Sequence, residues 1–125
     1  MISGIGTDIV AVERLQRLFE RHGERALEKL LAVAERADFD KAKEPARFLA
    51  KRFAAKEAFG KALGIGVATP ATLPNIAVVH DALGKPAFSY APELAQYLDE
   101  RGLIAHLSIS DEKDCALAFV VMERR

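Results

Sequence analysis

The sequence predicts the α+β class: a single domain, residues 1–125, in which an antiparallel β-sheet packs against helices. Three observations lead to this prediction. Segments with the 3.6-residue period of helices are mixed along the chain with segments typical of strands. Two pairs of strand-like segments are each joined by a turn, one of them longer than the other, as in antiparallel sheets. No internal repeat or long linker divides the chain, so we expect one core.

The first third of the chain is predicted to contain one strand and two helices. Ile2–Ile5 starts the strand, and Gly4 and Gly6 mark places where the backbone bends or packs closely. Residues 11–22 carry leucine and phenylalanine at core spacing and stop at a glycine, which predicts a helix. A second helix is expected at 24–36.

The middle of the chain is predicted to hold the longest helix. Residues 37–44 are polar and are expected to form a loop. Pro45 fits the first turn of a helix over 45–63, and Gly64 fits its end.

The last part of the chain is predicted to contain four strands and one helix. Residues 68–75 should form a loop before a hairpin of 76–80 and 87–90, whose turn uses Gly84 and Pro86. The remaining elements are a helix at 92–101 and strands at 103–110 and 115–123, joined by the turn 111–114.

Composition excludes several classes of protein. Half of the 125 residues are apolar and 29% are charged, as in ordinary globular proteins. Lys plus Arg and Asp plus Glu are 18 each, so no global field draws the chain to nucleic acid or membranes. We expect a cytoplasmic protein without a secretory signal or a membrane span, with Cys115 as a buried thiol.

Glu57 is the first candidate for chemistry. On a helical wheel it points away from the apolar face, yet its own neighbours are also small or apolar. One interpretation is a surface pair with Lys61, four residues on, worth roughly 0.2 to 0.5 kcal/mol. The other is a partly buried carboxylate that shares a hard metal ion with a second acid.

Asp8 is the candidate second ligand. It follows the first strand in GIGTDIV, where small residues leave room beside the backbone. The alternative is an N-cap for the helix that follows. The GxG here lacks the third glycine of a dinucleotide fingerprint, and no Walker sequence occurs.

The stretch HLSIS offers a row of polar side chains. Strict alternation puts His106, Ser108 and Ser110 on one face of a strand. They form either a solvated face or a set of hydrogen-bond donors for phosphate oxygens. No CxxC or HExxH spacing is present, so zinc is unsupported.

Arginines form a local positive ridge in this neutral chain. Arg14, Arg17, Arg21 and Arg25 fall at i, i+3, i+7 and i+11, a single helical stripe. The stripe is either a solvated face with ion pairs or a surface that docks an acidic protein partner. A non-catalytic module that binds an acidic protein or RNA would use the stripe too, but would have no need of an acid at position 57.

Together these motifs resemble one family. GIGTDIVAVERL, RFAAKEAFGKALGIG, the GKP of LGKPAF and HLSIS occur in the order and spacing of the bacterial holo-acyl-carrier-protein synthases, the short phosphopantetheinyl transferases. The resemblance spans essentially the whole chain. It implies transfer of 4′-phosphopantetheine from coenzyme A to a serine of apo-acyl carrier protein, in support of fatty acid biosynthesis.

The resemblance also implies roles for individual residues. Asp8 and Glu57 would hold Mg²⁺, with Lys61 on the coenzyme A phosphates, and these three would be the catalytic set. The proton acceptor would be Glu57 or a metal-held water. The other implied contacts are His106, Ser108, Arg52, Pro86 and Gly64 for the nucleotide, and Arg14, Arg17, Arg21 and Arg25 for the acidic carrier protein.

Two further expectations follow from the resemblance. Members usually form homotrimers with active sites between subunits, so Asp8 and Glu57 of one chain would meet His106 or Arg52 of another. Members commonly have a histidine after the second serine of the strand motif, whereas Asp111 stands here. The role of Asp111 is left open by the sequence.

Overall fold

The computed structural model describes residues 1–125 as five β-strands and five α-helices, which confirms the α+β class. Two 3₁₀ helices, Val33–Glu35 and Leu73–Asn75, lie between them. In chain order the elements are β1 (Ile2–Ala11), α1 (Val12–His22), α2 (Glu24–Leu30), α3 (Arg36–Lys41), α4 (Pro45–Leu63), β2 (Ile76–His80), β3 (Pro86–Tyr90), α5 (Pro92–Glu100), β4 (Leu103–Asp111) and β5 (Cys115–Arg124).

All strand pairs are antiparallel, as predicted, but they form two sheets. One sheet has the strand order β1-β5-β4, and the hairpin β2-β3 forms the other. Helix α4 packs across the three-stranded sheet, mainly on β1 and β5. Because side chains alternate along a strand, each strand of this sheet presents every second residue to α4 and the others to the opposite face.

That opposite face carries large apolar side chains without a cover in the monomer. Ile5 and Ile9 are 61% and 64% exposed, and Leu117, Phe119 and Ile104 are each between 37% and 39% exposed. The face toward α4 belongs to one cluster of 23 buried residues, to which α4 contributes mostly alanine. None of the five α-helices combines the length and the hydrophobicity that a membrane span requires.

The long helix was predicted with its observed limits, and Gly64 ends it in the left-handed conformation with φ 93°. Other boundaries differ. The first strand is ten residues long, because Gly4 and Gly6 continue the pairing with β5 instead of ending it. Cys115 is half-buried, on the open sheet face, so the predicted buried thiol is wrong.

The predicted helix 24–36 is interrupted. Leu31 is extended, at φ −114° and ψ 144°, and after the 3₁₀ helix Val33–Glu35 the chain re-enters α-helix at Arg36. The break turns Glu35 into the core, where its carboxylate accepts a hydrogen bond from the Ala32 N–H at 2.9 Å. The predicted loop 37–44 is therefore helical up to Lys41.

Candidate functional site

The site begins with two glycines that bring β1 against α4. A Cβ at Gly4 would lie 2.1 Å from the Ala62 carbonyl oxygen, and one at Gly6 would lie 2.2 Å from the Ala58 carbonyl oxygen. Both distances are far below contact, so any larger side chain would push the strand off the helix. Asp8 follows on the same face of β1, which places it beside the second half of α4.

Asp8 lies within the strand and interacts with Lys61. The Lys61 ammonium donates to the Thr7 carbonyl oxygen at 2.9 Å and to Asp8 Oδ1 at 3.3 Å. Helix α1 starts after Ala11 without any side-chain cap, so the N-cap interpretation of Asp8 is wrong. Asp8 Oδ2 is buried and has no hydrogen-bond partner. A buried carboxylate oxygen without a partner is costly unless a ligand binds it.

Glu57 lies on the side of α4 that faces Asp8. Burial is the main cause that raises the pKa of Glu57, and the charge of Asp8 raises it further, against opposing effects of Lys61 and Arg14. The Lys61 ammonium pairs with Asp8 and forms no ion pair with Glu57, so the interpretation as an ordinary surface pair is wrong. Two neighbouring carboxylates, Asp8 and Glu57, therefore lie beside the ammonium group of Lys61.

This donor set fits a magnesium ion. Mg²⁺ in proteins is held by one or two carboxylates and completes its shell with water and phosphate oxygens. Asp8 and Glu57 are such a pair, and the unpartnered Oδ2 of Asp8 supplies a free donor. No group of three or more His, Cys, Asp or Glu side chains exists to build an all-protein cage.

Three of the four predicted docking arginines share one helix. Arg14, Arg17 and Arg21 lie on α1, but Gly23, at φ 54°, separates α1 from α2, which carries Arg25. The guanidinium of Arg14 lies over the Phe53 ring, 5.1 Å from its centroid.

Between α1 and α2 the surface forms a groove of about 310 Å³. Its floor is apolar and its rim is basic, since three of the lining side chains are His22, Arg25 and Lys29. We call it the α1–α2 groove; its other lining residues are Leu18, Ala26, Leu30 and Leu73.

His106 and Ser108 are not brought to Asp8 within one chain. Across the three-stranded sheet Asp8 is level with Ala118 and Ile109, which face α4. Because side chains alternate along β4, His106 and Ser108 point to the side opposite to Ile109, which is the open sheet face. There His106 Nε2 lies 2.9 Å from Glu123 Oε1.

The other predicted nucleotide contacts are Arg52, Pro86 and Gly64, which lie on α4, at the start of β3 and at the end of α4. Arg52 is only 6% exposed and donates to Glu35 Oε2 at 2.9 Å and to the Val78 carbonyl oxygen at 2.6 Å. Pro86 starts β3, and Gly64 follows the last turn of α4. A nucleotide-binding role for these residues stays a prediction.

Sequence reasoning missed two polar clusters. Glu35 and Lys56 are buried together with Arg52, and the signal was on the wheel, where Arg52 and Lys56 are four residues apart. Asp111 binds Arg47 of α4 at 2.8 Å, and Arg47 also donates to carbonyl oxygens of the β4–β5 turn. Asp111 thus ties this turn to the start of α4.

Comparison with known proteins gives full-length matches. The model of the 4′-phosphopantetheinyl transferase superfamily matches residues 4–120. A holo-(acyl-carrier-protein) synthase of Azoarcus sp. (strain BH72) is 61% identical over 125 residues, 100% of both chains.

Two solved structures share the fold. The crystal structure of holo-(acyl-carrier-protein) synthase from Neisseria meningitidis has a TM-score of 0.96 at 49% identity, covering 99% of this chain and 100% of that one. The enzyme of the same name from Bacillus anthracis, solved in complex with CoA (3′,5′-ADP), has a TM-score of 0.85 at 35% identity, covering 100% and 99%.

Proposed function

Since the chain belongs to the 4′-phosphopantetheinyl transferase superfamily, we propose that it moves 4′-phosphopantetheine from coenzyme A to a serine of apo-acyl carrier protein. The products are holo-acyl carrier protein and adenosine 3′,5′-bisphosphate. The names of the full-length relatives and the coenzyme-bound Bacillus anthracis structure support this reaction. Within the chain, the main support is the Asp8–Glu57 pair, with its unpartnered oxygen, next to the Lys61 ammonium.

The proposed reaction requires positive charge close to the pyrophosphate oxygens of coenzyme A. The serine oxygen attacks the phosphorus that bears the pantetheine arm, and its proton passes to Glu57 or to water. The bond from that phosphorus to the bridging pyrophosphate oxygen breaks, which releases adenosine 3′,5′-bisphosphate. Lys61, whose side chain is 54% exposed, can donate to the phosphate oxygens while its stem stays along β1. Asp8 and Glu57 would hold Mg²⁺, which when bound neutralises pyrophosphate oxygens.

We propose the α1–α2 groove and the arginines of α1 as the docking surface for the carrier protein. The groove offers an apolar floor and a rim of His22, Arg25 and Lys29, and Arg14 and Arg21 extend the positive charge along α1. An acidic helical protein with a few exposed apolar side chains complements such a surface. This face leads along α1 to Arg14, which is close enough to Glu57 to affect its pKa.

We also propose that the chain works as a homotrimer. The open sheet face exposes Ile5, Ile9 and Phe119 side by side, and a contiguous apolar patch on a small protein is typical of an interface. His106 and Ser108 lie on this same face. Association of chains through the open sheet face would allow a site that combines His106 of one chain with Asp8 and Glu57 of its neighbour.

A mass-shift assay tests the proposed reaction. The purified chain is incubated with apo-acyl carrier protein, coenzyme A and Mg²⁺, and the mass of the carrier protein is measured by mass spectrometry. We expect the mass to rise by one phosphopantetheine group, and only when both coenzyme A and Mg²⁺ are present. If the mass does not rise, the proposed reaction is wrong. If it rises equally in the presence of a metal chelator, the proposed magnesium requirement is wrong.

A carrier protein whose acceptor serine is replaced by alanine is the matched control. It has the same acidic surface but no hydroxyl to attack the phosphorus. It should bind and remain unmodified. Several carrier proteins, of fatty-acid and polyketide type, tested side by side would show which of them the chain serves.

A further inference from the structure

The chain buries three charged side chains away from the Asp8–Glu57 pair. Glu35, Arg52 and Lys56 are 1%, 6% and 0% exposed. Burying charges is expensive, and well-packed apolar residues in their place are often as stable or more so. Stability alone therefore does not account for a charged cluster here, and its contacts point to a further role.

Glu35 joins four partners from three segments of the chain. Its carboxylate accepts from the N–H groups of Ala32 and Val78, at 2.9 and 3.0 Å. It also accepts from Arg52 at 2.9 Å and from Lys56 at 2.5 Å. We call Glu35 and Lys56 together the buried junction.

Lys56 extends the buried junction to the α1–α2 groove. Besides Glu35, its ammonium donates to the Leu30 carbonyl oxygen at 2.7 Å and to the Leu73 carbonyl oxygen at 3.1 Å. The Leu30 carbonyl ends α2, where helix carbonyls lack a partner of their own. Leu30 and Leu73 both line the groove. One ammonium group thus holds two walls of the groove by their backbone.

Lys56 is also the residue before Glu57 in α4. Successive helix residues point about 100° apart, so Lys56 can face the core while Glu57 faces Asp8. The bonds of Lys56 therefore join the walls of the groove to the helix that carries Glu57, while the packing of α4 on β1 and β5 maintains the direction of Glu57 itself.

We propose that Lys56, with Glu35, is a positioning residue that holds the carrier-docking groove in register with the catalytic face of α4. This inference depends on the proposed function, because it assigns the groove to the carrier protein. The proposed function places coenzyme A at Lys61, Asp8 and Glu57, and the groove walls that Lys56 holds, at Leu30 and Leu73, are not among its proposed contacts. Loss of the junction should therefore weaken the use of the carrier protein more than the use of coenzyme A.

The test is the replacement Lys56→Met, which keeps the apolar stem and removes the three donors. The KM for apo-acyl carrier protein should rise about three- to thirtyfold, a range typical of residues that act on a ligand without touching it. The KM for coenzyme A should change less than about twofold by the same reasoning. Lys41→Met, the same change at an exposed lysine of α3, should alter neither value.

Because Lys56→Met leaves Glu35 buried with fewer partners, the double variant Glu35→Gln/Lys56→Met is measured as well. It removes both charges and should show the same split between the two KM values. Equal rises in both KM values, a loss of thermal stability without a kinetic split, or failure of both variants to fold would each overturn the positioning role.

The wild-type chain separates this inference from the proposed function. A wild type that transfers phosphopantetheine, combined with variants lacking the split, overturns the positioning role alone. A wild type that transfers nothing to any carrier protein overturns the proposed function, and the positioning role with it.

Discussion

At Asp8 and Glu57 the sequence predicted which residues form the candidate site but not all of the contacts between them. Asp8, expected just after the first strand, and Glu57, in an alanine-rich helix, were candidates from their surroundings, and the family resemblance implied that both are magnesium ligands. What the sequence could not provide is the bond of Lys61 to Asp8 instead of Glu57. That choice depends on the distance between β1 and α4, which the glycines determine.

Asp8→Asn tests the carboxylate pair directly. The amide keeps the size of the side chain but loses its charge, so the affinity for Mg²⁺ and the rate of transfer should fall about a hundredfold or more. Thermal denaturation should show a folded chain, since the substitution relieves repulsion with Glu57. Asp40→Asn, the same change at an exposed aspartate of α3, is the control. A variant that transfers at the wild-type rate would remove Asp8 from the site.

Glu35 gives a prediction about acid stability. Burial alone would raise its pKa, but the charge of Lys56 and hydrogen bonds from Lys56, Val78 and Ala32 outweigh burial and lower the pKa below 4.5. Above pH 4.5 this carboxylate contributes its full stabilisation, which is lost as the pH falls through its lowered folded pKa. Urea denaturation at falling pH should therefore show a steeper loss for the wild type than for Glu35→Gln. Parallel curves would contradict the lowered pKa.

At the scale of elements, α4 was predictable to the residue because its signals are local. Proline at its start and glycine at its end act within one turn. The break after α2 was not predictable, because Leu31 would fit a helix by composition. It exists because Glu35 is drawn to Lys56 and Arg52, which are distant in sequence. The hydrophobic periodicity of the segment does not depend on such long-range pairs and so cannot predict them.

Gly6→Ala tests the contact between β1 and α4. The new methyl group would meet the Ala58 carbonyl oxygen at 2.2 Å, so strand and helix must separate. We expect a loss of about 1 to 3 kcal/mol in the free energy of unfolding, as for other overpacked cores. Transfer should fall as well, because Asp8 moves with the strand. Ser3→Ala, at an exposed position of the same strand, should change neither quantity.

At the scale of the whole molecule, the monomer holds only part of the predicted site. The α+β class, the antiparallel pairing and the Asp8–Glu57–Lys61 cluster follow from the sequence. His106 and Ser108 were predicted for the same nucleotide, and they lie on the other face of the sheet. Alternation along β4 predicts that they share a face with each other. The alternation does not tell which surface of a neighbouring chain these two side chains would meet in the proposed trimer.

Mixing two inactive variants tests the shared site. Glu57→Gln and His106→Ala chains should each be inactive alone. Coexpressed, they should regain activity, because about a quarter of the interfaces would combine an intact Glu57 with an intact His106. The same pair carrying Phe119→Glu, which puts a charge on the open sheet face, should be monomeric by ultracentrifugation and stay inactive. Recovery without assembly, or assembly without recovery, would contradict a site built between subunits.

Strand β1 has a consequence for how this chain can change during evolution. Asp8 and Ile9 are consecutive, and they point to opposite sides of the sheet, one toward α4 and one toward the open face. A shift of one position would exchange every side chain between the two sides. Insertions or deletions between Gly4 and Ala11 would therefore disrupt the proposed metal ligand and the proposed assembly surface together. We expect this stretch to accept similar apolar side chains at Ile5 and Ile9, but no larger side chain at Gly4 or Gly6 and no change in its length.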